Sequence, residues 1–267
     1  MIKILKDYLI MTKKLLLTTA LLYTHLLHAE HSHNQTKLEH SDHAHATHWS
    51  YEGEGAPENW AKVDKKFFMC KEGKNQSPIN LTAFVKSELP PITFNYKLAS
   101  TEILDNGHTE QVNVKEGSSI TIDDIQFNLK QFHFHTPSEN NINGKSFPLE
   151  AHFVHASKEG KLAVVAVMFE EGKANDALTE LWAQMPEKAG EHHTINAKHL
   201  DALLPKNRDY YRFNGSLTTP PCTEGVRWIV MKKPVTLSKT QIEKFAKIMH
   251  MHNNRPIQAT NARMILE

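Results

Sequence analysis

Apolar and polar residues alternate over two short stretches in the middle of the chain, and such alternation marks a strand with two unlike faces. In Gln131-Phe132-His133-Phe134-His135, the glutamine and both histidines project to one side. The two phenylalanines project to the other, where they can feed a core. Glu150-Ala151-His152-Phe153-Val154 sorts in the same way, with Glu150, His152 and Val154 sharing a face. Further β-type segments run over Ile92–Tyr96, Glu102–Asn106, Gln111–Lys115, Ser119–Ile122, Phe127–His135, Leu149–His155 and Leu162–Phe169. The last is continuously apolar, as is Trp228–Met231, which suits strands buried on both faces. Asn106-Gly107 and Asn143-Gly144 are turn signals, and Gln76-Ser77-Pro78-Ile79-Asn80 reads as a turn with an extended exit.

Helical periodicity is confined to two places. Asp176–Met185 carries a stripe of Leu178, Leu181, Trp182 and Met185. Ser238–Met249 opens on Ser238 and Gln241 at the spacing of a capping box, and Ile242, Phe245, Ala246 and Met249 then line one face. No repeat and no second core is evident after residue 49. The pattern predicts one mainly β (α+β) domain over residues 49–267, a sheet flanked by short peripheral helices.

The start of the chain is of another kind. Met11-Thr12-Lys13-Lys14 precedes an apolar run, Leu15–Leu27, that closes on Ala29. A basic start, a short apolar middle and a small residue describe a secretory signal peptide over residues 1–29. The run is short for a bilayer span, so no permanent membrane anchor is expected. Residues 30–48 form a polar tract with His31, His33, His40, His43, His45 and His48, without hydrophobic period, and are expected to be disordered. Such a tract is either a solvated linker or a loose collector of metal ions. The whole chain of 267 residues carries 31 basic and 30 acidic residues, a formal charge of +1. That balance offers no argument for nucleic acid or for a membrane surface. Cys70 and Cys222 are the only two cysteines. They are either a disulfide or two unrelated buried thiols, and an exported chain favours the bridge.

The two alternating stretches carry the candidate chemistry. Alone, His133-x-His135 suits a surface or a hydrogen-bonded core as well as a metal. His152 on a second alternating segment shifts the balance, because adjacent strands would then converge three imidazoles from a rigid floor. Three neutral imidazoles plus one open position is the arrangement of catalytic zinc.

These stretches, with Gly215-Ser216-Leu217-Thr218-Thr219-Pro220-Pro221, resemble the α-class carbonic anhydrases, and closely the secreted bacterial type. The resemblance runs from about Trp49 to the end of the sequence. It implies a large, mostly antiparallel central sheet and reversible hydration of carbon dioxide to bicarbonate by zinc-bound hydroxide. His133, His135 and His152 would hold zinc, with Gln131, Glu150 and the backbone carbonyl of Asn253 bonding their outer nitrogens. Thr218, donating to Glu139, would orient the hydroxide, and Thr219 would meet bicarbonate. Val154, Val164, Leu217 and Trp228 resemble the apolar wall beside the zinc. His108 matches the proton shuttle, and Tyr51 and Asn106 would order its water path. Cys70 and Cys222 stand where bacterial members are bridged, and Ser77-Pro78 and Pro220-Pro221 where the family has cis bonds. Phe213 departs from the tyrosine common in animal members, an expected effect on stability rather than chemistry. A periplasmic or secreted location follows, and a homodimer is compatible with the resemblance, since bacterial members are often dimers, although the sequence itself does not reveal the assembly. The competing functions are a catalytically silent carbonic-anhydrase-like binding domain and a metal-capture protein working through the His-rich tract.

Overall fold

The computed structural model describes residues 48–97, 100–197 and 199–267. The signal-like segment and the His-rich tract up to residue 47 lie outside the described residues.

Most strands expected from alternation are present within a residue or two. They are β1 (Asn80–Leu81), β2 (Thr93–Asn95), β3 (Ser100–Asp105), β4 (Glu110–Val114), β5 (Ser119–Ile122), β6 (Ile125–His135), β7 (Asn141–Ile142), β8 (Leu149–Ala156) and β9 (Leu162–Glu171). There follow β10 (His192–Thr194), β11 (Tyr210–Ser216), β12 (Glu224–Met231) and β13 (Val235–Leu237). Among the described residues an eleven-stranded sheet runs in the order β10-β3-β4-β6-β8-β9-β12-β11, with β13 on β9, and β2 and β5 joining at β6. Within this sheet pairing is antiparallel except where β9 meets β12 and β13, while β1 and β7 form a separate parallel pair. The expected mostly antiparallel sheet is therefore the observed one.

Alternation distributes the side chains as expected. Phe132, Phe134, Phe153, Val165 and Ile229 enter one buried cluster with Trp182 and Phe245 of the peripheral helices. Val164, Ala166, Trp228 and Val230 enter a second, with Val154 and Leu217 packed against it. β9 is buried on both faces, which is why its sequence is a continuous apolar run.

The two helices expected from periodicity are α1 (Asp176–Trp182) and α2 (Lys239–Met249), and single helical turns lie earlier at Trp60–Val63 and Met69–Glu72. α2 starts on the expected capping box, Ser238 accepting from the Gln241 N–H while the Gln241 side chain takes the Ser238 N–H. α1 ends three residues short of Met185, which stays buried beyond the last turn. Its Asn175 cap accepts from the Leu178 N–H at 3.1 Å. Ser77-Pro78 and Pro220-Pro221 are cis, as the resemblance implied, and so is Thr136-Pro137, which the sequence had not suggested.

Cys70 and Cys222 are joined, closing a separation of 152 residues. In the chain-entropy account, loss of that closure raises the entropy of the unfolded chain by up to about 5 kcal/mol at room temperature. Denaturant unfolding of Cys70→Ala should therefore show a loss of several kcal/mol, and unchanged stability would contradict a structural bridge.

His155 is fully buried against Tyr96 Oη at 2.6 Å, and burial pushes it down to about 3. The unfolded chain takes up a proton near 6.5 that folded His155 refuses, so acid favours unfolding. Stability should decline as pH falls from about 6.5 toward 3. His155→Phe should flatten that decline in pH-resolved unfolding experiments.

Candidate metal centre

β6 and β8 are adjacent and antiparallel, with His133 directly opposite His152 and His135 opposite Glu150. Directly opposed residues project to the same face, so this register converts two sequence patterns into one cluster. One ring nitrogen from each of His133, His135 and His152 lies within 4.8 Å of the other two. His135 and His152 are buried and His133 is partly so.

Each ring is held from behind by an acceptor. His133 Nδ1 bonds Gln131 Oε1 at 2.8 Å, His135 Nδ1 bonds the Asn253 carbonyl at 2.7 Å, and His152 Nε2 bonds Glu150 Oε1 at 2.9 Å. A ring nitrogen facing an acceptor must carry the hydrogen, which leaves a lone pair on the opposite nitrogen. The lone pairs thus fall on Nε2 of His133 and His135 and on Nδ1 of His152. Burial lowers the basicity of all three rings, and for His133 and His152 the neighbouring imidazoles lower it further. They stay neutral, the protonation state in which imidazole binds a metal. His135 Nε2 is buried with no hydrogen-bond partner, an orphan that a metal ion would satisfy. The donor set fits a tetrahedral divalent ion with one position left over.

The backing residues are themselves fixed. Glu150 accepts from the Asn140 N–H at 2.8 Å and its side-chain amide at 2.7 Å. Burial raises Glu150 to about 7 in spite of those bonds. Asn253 takes the Thr136 N–H on its side-chain oxygen and donates its amide to the carbonyls of Phe134 and His108.

Glu139 lies just beyond the triad, Oε2 standing 3.5 Å from His135 Nε2 and 3.8 Å from His152 Nδ1. Burial pushes its carboxyl up to about 8, opposed by hydrogen bonds from the Arg255 N–H and the Thr218 side chain. Thr218 is buried in the segment after β11, and Thr219 is half-buried beside it. That segment is pinned on several sides. The Leu217 N–H donates to Thr223 O, the Cys222 N–H donates to Thr219 O, and Cys222 is tied to Cys70. A Cβ on Gly215 would lie 2.1 Å from Ser77 Oγ and 2.9 Å from the Trp228 ring, so only glycine fits there.

The expected apolar wall converges as well. Val164 and Trp228 are buried in one cluster, Val154 and Leu217 pack on it, and the Trp228 ring meets His152 edge to face at 4.9 Å. Phe213 stacks on Trp228 at 5.8 Å. His108 lies on the hairpin between β3 and β4. Asn106, expected on a water path, accepts on its side-chain oxygen from the N–H groups of His108 and Thr109, shaping that turn. Tyr51 is partly buried, and desolvation together with the nearby Glu139 carboxylate raises its pKa well above the usual tyrosine value.

Arg255 was not found from sequence. It is 2% exposed, and its N–H donates to Glu139 Oε1 at 2.9 Å. Its guanidinium bonds Gln76 Oε1, Ser77 O and Cys70 O and lies over Trp60. Nothing local marks it, because its partners lie more than a hundred residues away. Among the other histidines, His155 is core, while His192, His193, His199, His250 and His252 are exposed.

Comparison with known proteins follows this geometry. Residues 55–267 match the family model described as eukaryotic-type carbonic anhydrase. The chain is 47% identical over 222 residues to a carbonic anhydrase of Pectobacterium carotovorum, covering 83% of this chain and 91% of the relative. It is 49% identical over 225 residues to one from Klebsiella pneumoniae, with 83% and 92% covered. Among solved structures, the α-carbonic anhydrase of Thermovibrio ammonificans in complex with sulfanilamide superposes with a TM-score of 0.80 at 48% identity, covering 82% of this chain and 99% of that one.

The purified chain should bind one divalent ion, and His152→Ala should lose it. Gln131→Ala, which removes only the acceptor behind His133, should weaken metal affinity by about 10–100-fold in chelator competition. Unaltered affinity in that variant would show that the backing hydrogen bond is dispensable.

Proposed function

The chain belongs to the eukaryotic-type, or α-class, carbonic anhydrase family, enzymes that interconvert carbon dioxide and bicarbonate, and from that premise we propose that it works through one zinc ion on His133, His135 and His152. The observation that carries this reading is the convergence of three free ring nitrogens within 4.8 Å, each ring backed by its own acceptor. When bound, zinc lowers the pKa of water to about 7 and so supplies hydroxide near neutral pH; that value is the one established for carbonic anhydrase itself.

The protein's own residues supply orientation, an apolar surface and a proton route. Ionised, as the charge of a bound cation would favour, Glu139 accepts from the Arg255 N–H and from the Thr218 hydroxyl. A hydroxyl that donates to a carboxylate can only accept from its other neighbour. Thr218 would thereby accept a hydrogen bond from the hydroxide that zinc would supply, orienting its lone pair toward carbon in a near-attack arrangement. Val154, Val164, Leu217 and Trp228 give the linear, apolar substrate a dry wall, and Thr219 provides a polar contact for bicarbonate. His108 collects the released proton, with Tyr51 at the edge of its water path. An imidazole there can take a proton on one ring nitrogen and release it from the other.

Cys70–Cys222 and the absence of any described helix long and apolar enough to cross a membrane accord with a periplasmic or secreted enzyme. The signal peptide over residues 1–29 and a homodimeric assembly belong to the same reading.

Rapid-mixing assay of the zinc-loaded chain should show hydration of carbon dioxide. An inert, zinc-loaded protein would overturn the proposal in favour of a silent binding domain. Thr218→Ala should lower kcat/KM by about 100-fold at unchanged zinc content. His108→Ala should lower kcat in weak buffer and recover with added imidazole. Deleting residues 30–47 should leave kcat/KM intact, whereas a metal-capture protein would lose its function with that tract.

A further inference from the structure

The His108 ring has a second imidazole beside it. His48 and His108 are parallel to within 5°, with centroids 5.1 Å apart. Trp49 is parallel to His108 within 11° at 3.5 Å, and to His48 within 15° at 6.2 Å. Separations of 3.5, 5.1 and 6.2 Å close a triangle with nearly a right angle at His108. Parallel rings 3.5 Å apart must lie face to face, so the indole covers one face of His108. His48 then lies beside His108, edge to edge and close to its plane. At 5.1 Å between centroids the two ring edges are adjacent, no direct hydrogen bond joins them, and His108 Nδ1 has no partner among the described residues, so transfer between the rings would run through water.

His48 is prepared to accept. Its Nδ1 bonds the Trp49 carbonyl at 2.9 Å, so that nitrogen carries the hydrogen and Nε2 carries the lone pair. The ring is exposed, while His108 is half-buried. The backbone of His108 is held by Asn106 and Asn253, which fixes the hairpin that presents the ring.

We propose that His48 is the proton acceptor that follows His108, relaying the proton from the cleft to solvent. The inference rests on the reading of His108 as the shuttle. In the transfer one N–H bond of the His108 imidazolium breaks and one forms at the lone pair of neutral His48. The positive charge moves outward, and His48 then discharges to buffer. Burial and the neighbouring His48 lower His108 to about 4, so a proton does not rest there in this arrangement. The rival acceptors are Asp105, Glu187 and His250, which share with His108 a pocket of about 180 Å³.

The test measures kcat and kcat/KM for hydration by the zinc-loaded chain in weak buffer. His48→Phe keeps an aromatic ring beside His108 but cannot carry a proton. It should lower kcat several-fold, leave kcat/KM in place and recover with added imidazole. Because the two histidines act in series, His48→Phe with His108→Ala should be no slower than His108→Ala alone. If His108→Ala slows turnover while His48→Phe matches wild type, the relay is overturned and the shuttle stands. Slowing by Glu187→Gln in place of His48→Phe would move the exit to the pocket. A His108→Ala variant as fast as wild type would remove the shuttle and the relay together.

Discussion

The register between two antiparallel strands governs this molecule. With His133 opposite His152, three imidazoles share one face and three phenylalanines share the other. Side chains alternate with a period of two, so a slip by one residue would turn the imidazoles into the apolar core and the phenylalanines toward the cleft. Both outcomes are costly, since buried imidazoles without partners and exposed aromatic rings each lose free energy. Burial of the phenylalanine face therefore locks the imidazole face, although the phenylalanines point away from the triad.

Around that floor the polar groups form a chain of acceptors and donors with a fixed direction. Gln131, Glu150 and the Asn253 carbonyl each take a ring hydrogen, and so decide which nitrogen of each imidazole faces inward. Glu139 faces the triad from another element and is aimed by the Arg255 backbone. The Arg255 guanidinium in turn holds the carbonyls of Cys70 and Ser77, and Cys70 is joined to the segment carrying Thr218. A carboxylate beside the triad, a buried guanidinium and a disulfide thus belong to one connected support.

What could be read from the chain divides along physical lines. Alternation identified β6 and β8, and unbroken apolarity identified β9, because a sheet face leaves a local imprint. The α2 start was readable because a capping box is complete within four residues. Tyr210–Ser216 escaped notice because its mixed residues, in YYRFNGS, follow no period, and its place beside β12 is set by tertiary pairing. The three-residue β10 is fully exposed and carries no core signal. α1 was drawn too long because Met185 continues the stripe by sequence but is buried from the following loop. Arg255 and Asn140 had no local signature at all. His48 had been grouped with the histidines before it, since nothing in its neighbours distinguishes a ring that packs on the domain.

Asn253 has a consequence for the order of events during synthesis. Through one residue, the His135 ring, the Thr136 N–H and the carbonyls of Phe134 and His108 are all tied together. The strands bearing the histidines leave the ribosome long before that residue does, and until it arrives His135 has no acceptor to select its tautomer. The triad has all three tautomers fixed only once residue 253 has docked, so completion of the site is coupled to docking of the C-terminal segment.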